Sequence, residues 1–220
     1  MKCVVLLSGG IDSSTTLAIA RNRGYEAYAL TVLYGQRHSR ELKSAEMVAR
    51  SLEVREHRVA DLPENLFEGS ALTGDGVIPE GEVNEDDIPS TYVPARNLIF
   101  LSMAVGWAEV LNAESVFIGA TAVDYSGYPD CRPEFLRSFQ ETQRLATKRG
   151  VEGDPIKVEY PLVNMTKSEI ISKGGELGLD YSLTWSCYEG GEKPCGVCDS
   201  CRYRLKGFRE AGLEDPLEYG

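Results

Sequence analysis

Six residues near the start of the chain constrain it most. Ser8-Gly9-Gly10-Ile11-Asp12-Ser13 follows the apolar run Cys3-Val4-Val5-Leu6-Leu7 and leads directly into a helical stretch. A buried strand, a turn of small residues and a helix, in that order, bring unpaired backbone N–H groups to a helix N-terminus, where a phosphate group is favoured. Gly9 and Gly10 let the chain turn sharply and let an anion approach the backbone. Ser8, Ser13, Ser14 and Thr15 add hydroxyls, and Ser13 or Ser14 is placed to cap the helix. The plain alternative is a Gly-Gly turn with a serine cap. Neither G-x-x-x-x-G-K-[ST] nor G-x-G-x-x-G occurs, so the loop is neither a P-loop nor a dinucleotide fingerprint.

Downstream, strand-like and helical runs alternate. Strands are expected at Cys3–Leu7, Ala27–Leu33, Arg55–Val59, Val116–Gly119 and Ile156–Leu162. Helices are expected at Ser14–Arg23, Arg40–Leu52, Asn97–Asn112 and Pro133–Arg149, and Thr166-Lys167-Ser168-Glu169 reads as a capping box opening another. Repeated strand–helix–strand units imply an α/β fold, a doubly wound parallel five-stranded sheet, binding its ligand at the carboxyl ends of the strands. The whole of 1–220 reads as one domain. Gly74–Ser90, acidic and interrupted by Pro79 and Pro89, breaks the rhythm and reads equally as a lid or as a solvated loop.

The formal net charge of −11 repels polyanions at long range, so nucleic acid is a poor partner. A small anion such as ATP needs only a local positive site. No signal peptide or membrane span is read: the opening apolar run stops at Ser8, and Leu98–Leu111 is interrupted by Ser102 and Glu109. The cytoplasm is the expected compartment.

Four of the six cysteines, Cys187, Cys195, Cys198 and Cys201, are spaced C-x7-C-x2-C-x2-C. Two residues between thiolates let both point at one ion around a tight turn, which Gly196 permits, and four thiolates match the tetrahedral preference of structural zinc. An iron–sulfur cluster and a redox dithiol are the rivals. Cys3 reads as core packing, Cys131 as a pocket wall or a buried hydrophobe. His38 reads as a proton shuttle or a structural histidine, and His57 as structural.

The loop resembles the PP-loop of the ATP pyrophosphatase superfamily. Further segments, Leu33-Tyr34-Gly35-Gln36-Arg37-His38, Val93-Pro94-Ala95-Arg96-Asn97, Asp124-Tyr125-Ser126-Gly127-Tyr128-Pro129-Asp130-Cys131-Arg132-Pro133 and Thr184-Trp185-Ser186-Cys187-Tyr188, taken in order with the cysteines, resemble the 7-cyano-7-deazaguanine synthase (QueC) family from Val4 to about Gly212. The resemblance implies an adenine nucleotide alpha hydrolase-like fold with a small zinc-binding helical segment at 184–212. It implies ATP-dependent conversion of 7-carboxy-7-deazaguanine and ammonia to the nitrile, a precursor of queuosine and archaeosine, by adenylation, amide formation and dehydration.

By the same resemblance Leu7, Ser8, Gly9, Gly10, Ile11, Asp12, Ser13, Ser14, Thr15, Thr16 and Leu17 would hold ATP, with Ser8, Asp12, Ser13, Arg96 and Lys167 carrying the chemistry. Asp12 would contact magnesium or brace the loop. Lys167 would face pyrophosphate, and Arg96 would lie near the nucleotide or be a solvated charge. Tyr125, Tyr128, Asp130 and Arg132 would shape the deazaguanine pocket, a ring stacking on the base, Asp130 accepting from its N–H edge and Arg132 pairing with its carboxylate. A homodimer is the family expectation. The competing readings are a PP-loop enzyme that modifies tRNA, a relative that couples a deazaguanine to a protein, and a non-catalytic ATP- or zinc-binding module.

Overall fold

Five parallel strands order as β3-β2-β1-β4-β5 in the computed structural model, which describes residues 1–35, 40–67, 70–73, 88–121 and 127–220. The strands are β1 Lys2–Leu6, β2 Glu26–Leu33, β3 Glu56–Asp61, β4 Ser115–Phe117 and β5 Lys157–Glu159. The helices are α1 Ile11–Asn22, α2 Arg40–Ser51, α3 Arg96–Leu111, α4 Pro133–Ala146, the short α5 Lys148–Val151, α6 Lys167–Glu176 and α7 Asp199–Glu210. Strand order runs outward in opposite directions from β1, so the crevice between the loops after β1 and β4 is the topological switch point.

β1 is buried on both faces, as its unbroken apolar run requires. Cys3, Val5 and Leu7 face a layer built by α1, α2, α6 and α7, with Leu17, Val48, Ile170 and Phe208 at its centre. Val4 and Leu6 face the opposite layer, where Leu101, Trp107, Leu136 and Phe139 of α3 and α4 close the core. The doubly wound arrangement expected from the alternation is therefore present.

Three boundaries differ from expectation by three residues. Helix α1 starts at Ile11, three residues early. Gly10 is its N-cap, and no side chain caps it, so neither Ser13 nor Ser14 plays that part. The long helix expected over Pro133–Arg149 breaks at Thr147, whose extended backbone and hydroxyl, accepting from Gly150 N at 3.1 Å, start α5. Strand β5 is short, because its outer edge is satisfied by side chains. Gln140 and Gln143 donate to Ile156 O at 3.1 and 2.7 Å, and Val158 N donates to Gln140 Oε1 at 2.7 Å. Helix α4 thereby covers an edge that would otherwise be open to pairing. The capping box at Thr166–Glu169 forms as expected.

The C-terminal segment is fastened by one buried charge. Arg204 on α7 is 1% exposed and Asp215 4%. The guanidinium donates to Asp215 at 2.7 and 2.9 Å, to Thr184 Oγ1 at 2.8 Å and to Tyr181 O at 3.1 Å. Tyr219 Oη donates to Asp215 at 2.5 Å. Removing one partner of such a pair strands the other in a dry site. Asp215→Ala should therefore cost about 3–5 kcal/mol, read as a lower denaturant midpoint with an unchanged slope.

Candidate functional site

At the switch point lies a cavity of about 330 Å³. Leu7, Ser8, Gly10, Ile11, Asp12 and Ser13 line it from the loop after β1, and Ile118, Gly119 and Ala120 from the end of β4. Gly9 (φ +86°) lies under the loop and does not line the cavity. A Cβ there would sit 2.5 Å from Ala45 N and 2.6 Å from Glu41 O, so only glycine lets the loop rest on α2. Gly119 packs on the first turn of α1, where a Cβ would stand 3.0 Å from Ser13 N.

The loop folds back on its own hydroxyls. Ser8 N donates to Ser13 Oγ at 3.1 Å, and the two serine hydroxyls bond at 3.0 Å. The first intrahelical bond is Ser14 N to Gly10 O, so the amides of Ile11, Asp12 and Ser13 have no acceptor among the described residues. These free donors sit at the positive end of a 12-residue helix, the arrangement that receives an anion.

Charged side chains come to the same space from separate elements. Lys167, the first residue of α6, donates to both Asp12 oxygens at 2.6 and 2.7 Å. Gly207 on α7 makes room for it, since a Cβ there would meet Lys167 Cγ at 2.4 Å. Ala95 holds a left-handed backbone (φ 55°) ahead of α3. Arg96 follows, donating to Tyr34 Oη at 3.4 Å with its guanidinium 5.6 Å from that ring. Glu41 on α2 lines the cavity too, and burial pushes its carboxyl up to about 7 against the opposing pull of Arg96. Burial likewise raises Tyr34, opposed by Arg96.

The far wall comes from the C-terminal segment: Trp185, Ser186, Tyr188, Asp199, Ser200, Tyr203 and Arg204. Trp185 ties it to the loop. Its backbone N–H donates to Gly9 O and its indole N–H to Cys187 O, each at 2.9 Å, while the Arg40 guanidinium stacks 4.4 Å above the ring.

Beyond Trp185 the four predicted cysteines meet. Their sulfurs all lie within 4.8 Å of one another, and the Cys195–Cys201 separation is 4.0 Å. Four sulfurs bound tetrahedrally at about 2.3 Å stand roughly 3.8 Å apart, so the cluster fits one ion with little movement. Backbone N–H groups of Glu189 and Cys195 point at Cys187 Sγ and that of Cys198 at Cys195 Sγ, each at 3.4 Å, favouring thiolates. Without an ion Cys187, Cys198 and Cys201 compete for charge. Donation from Cys198 and Cys201 draws Cys187 down, and the same bonds push those two thiols up. Gly196 (φ +75°) makes the turn between Cys195 and Cys198.

Comparison with known proteins agrees with this architecture. Residues 2–212 match the family described as queuosine biosynthesis protein QueC. The chain belongs to the QueC family. A 7-cyano-7-deazaguanine synthase of Magnetococcus marinus is 56% identical over 100% of this chain and 97% of the relative. One from Saccharophagus degradans is 55% identical over 99% and 97%. In fold the chain is similar to an NMN synthetase from Francisella tularensis (TM-score 0.52, 16% identity, 96% of this chain and 77% of that one). It is also similar to a predicted subunit of tRNA methyltransferase from Methanocaldococcus jannaschii (TM-score 0.50, 20% identity, 98% and 90%).

Within this QueC-family chain the expected site residues divide. Of Leu7–Leu17, the six cavity residues above face the crevice. Ser14, Thr15, Thr16 and Leu17 are buried behind them, Thr15 Oγ1 bonding Tyr181 Oη at 2.9 Å. Asp12 lines the cavity with both carboxylate oxygens bonded to Lys167. Arg96 stands on the cavity wall against Tyr34. Tyr128 lines the cavity, its hydroxyl bonded to Thr91 Oγ1 at 2.8 Å. Asp130 and Arg132 do not. Asp130 Oδ2 accepts from Asn97 N at 2.8 Å at the start of α3, and Arg132 is an exposed residue at the start of α4. Tyr125, His38 and most of the acidic Gly74–Ser90 segment lie outside the described residues. Cys131 is a cavity wall, its sulfur accepting from Asn97 Nδ2 at 3.1 Å.

His57 is structural. The single Thr31 hydroxyl proton goes to Leu7 O at 2.6 Å, so His57 Nε2 donates to Thr31 Oγ1 at 2.8 Å. Glu41, Asp199 and Arg204 were not singled out from the sequence, because nothing in their local spacing marks them. Among the described residues, no helix is long and apolar enough to cross a membrane.

The cysteine geometry makes a direct prediction. Purified protein should carry one tightly held divalent metal per chain, and Cys198→Ser should lower that to a small fraction by elemental analysis. The far-UV spectrum should retain most of its helical signal, because α7 is the one helix of the described residues that carries a cysteine of the cluster.

Proposed function

We propose that this chain converts 7-carboxy-7-deazaguanine, ammonia and ATP into 7-cyano-7-deazaguanine, with ATP at the β1–α1 loop and zinc at the four cysteines. One observation carries the ATP assignment: the free amides of Ile11, Asp12 and Ser13, with Lys167 beside them, open into the cavity at the switch point. Membership of a family whose relatives bear the synthase name supports the substrate assignment.

The chemistry follows from what those groups stabilise. A substrate carboxylate oxygen attacks the α-phosphorus, the bond to the β-phosphate oxygen breaks, and pyrophosphate leaves. The charge it gains falls on the loop amides, the Ser8 and Ser13 hydroxyls and Lys167. Ammonia then attacks the acyl carbon, AMP leaves, and a proton is shed to give the amide. A second ATP is attacked by the amide oxygen, and loss of two N–H protons with departure of AMP leaves the nitrile. One loop serves both adenylations. Asp12 is the carboxylate that the loop offers magnesium, and it is already bound by Lys167, so the ion would be held chiefly by phosphate oxygens. Zinc, closed off by four thiolates, would supply structure alone. Glu41 is the acceptor for the proton that attacking ammonia sheds, with Arg96 and Tyr34 as its charged and titratable neighbours. A cytoplasmic location and a homodimer remain the expectation for such an enzyme.

Incubation with ATP, magnesium, ammonium and the carboxylic acid should give the amide and then the nitrile by mass spectrometry. Their absence with folded, metal-loaded protein would overturn the assignment. Lys167→Ala should lower kcat about 10²–10³-fold with the melting temperature little changed. At constant free ammonia, kcat should rise with pH as Glu41 loses its proton, and level off above about 7. Glu41→Gln should remove that limb of the profile, and an unaltered limb would exclude Glu41 as the acceptor.

A further inference from the structure

Among the described residues, three carboxylates face the cavity, and two are already answered. Asp12 holds Lys167 on both oxygens, and Glu41 lies in the field of Arg96. Asp199 differs. It is the first residue of α7 and 8% exposed, and it lines the cavity. Among the described residues, no side-chain hydrogen-bond donor or ion-pair partner reaches its carboxylate, which is offset by the positive end of α7 and the field of Arg202 three residues on. A carboxylate kept nearly dry without donors is costly unless something with N–H groups completes it.

Its neighbours indicate what that something is. Trp185, one ring face of which Arg40 covers, lines the cavity together with Tyr188 and Tyr203 from the same C-terminal segment as Asp199. Such a wall suits a planar heterocycle bearing two adjacent N–H donors, which a carboxylate takes as parallel bonds. The acidic residue expected for that task, Asp130, is spent on Asn97 N at the start of α3. The Trp185 N–H bond to Gly9 O sets this wall against the phosphate loop.

We propose that Asp199 reads the guanine-like edge of the substrate, accepting from the ring N–H and the exocyclic 2-amino group. This rests on the substrate assignment above. The 7-carboxyl stands on the opposite side of the bicycle from the 2-amino group, so a base held by Asp199 presents the group to be activated away from this wall. A bare ammonium ion is the weaker occupant, because it needs a cage of oxygens and the wall supplies mainly rings.

The test compares two ligands on two proteins by calorimetry. Wild-type protein should bind 7-carboxy-7-deazaguanine about 10–150-fold more tightly than its 2-desamino analogue. Asp199→Asn should lose that preference while keeping its metal content and its affinity for a nonhydrolysable ATP analogue. Equal binding of the two ligands by the wild type overturns the proposal without any variant. So does an Asn variant that retains the preference, or one in which only the KM for ammonia moves. If wild type binds neither compound while still binding the ATP analogue, the substrate assignment itself falls, and this inference with it.

Discussion

The missing side chain at Gly9 is the constraint on which the site rests. With its positive φ and its backbone against Ala45 N and Glu41 O, Gly9 drops the loop onto α2. Three consequences follow from that one contact. The next residues enter α1 at once, leaving its first amides beside the crevice without an acceptor among the described residues. The Gly9 carbonyl is free to accept from Trp185, which draws the cysteine segment up to the loop. Glu41, whose carbonyl Gly9 touches, lies beside the same cavity. A methyl group here would separate all three.

Charge in this molecule is arranged locally, against the overall balance. The chain carries a net −11, yet the residues around the cavity supply Lys167, Arg96 and the amide ends of α1 to a would-be anion. Lys167 is held by Asp12 in advance, so a phosphate group meets an ordered cation at little entropic cost. Arg204 reaches the same wall but is committed to Asp215, Thr184 and Tyr181 O, which makes it a fastening for α7. The contrast separates the fully buried Arg204 from the half-buried Arg96 on the same cavity.

Much of the frame was legible because it depends on local pattern. The apolar run of β1, the small-residue turn, the capping box at Thr166 and the cysteine spacing each encode their geometry within a few residues, and each appears as read. The tyrosine segment was only half legible. Tyr128 faces the cavity, whereas Asp130 turns to cap α3, a partner 33 residues away that periodicity does not reveal. Helix α1 starts at Ile11 with Gly10 as its N-cap and no side-chain cap, three residues ahead of the start expected from the serines.

What the sequence by itself determined is the order of strands and helices, the loop and the four-thiolate set, since these rest on short-range sterics, hydrogen-bond chemistry and ligand preference. Only the tertiary structure decided which charges share a cavity. Asp12 and Lys167 are 155 positions apart, and Glu41 and Asp199 join them from other helices. Such meetings follow from sheet order and helix packing, and no local signal in the chain carries them.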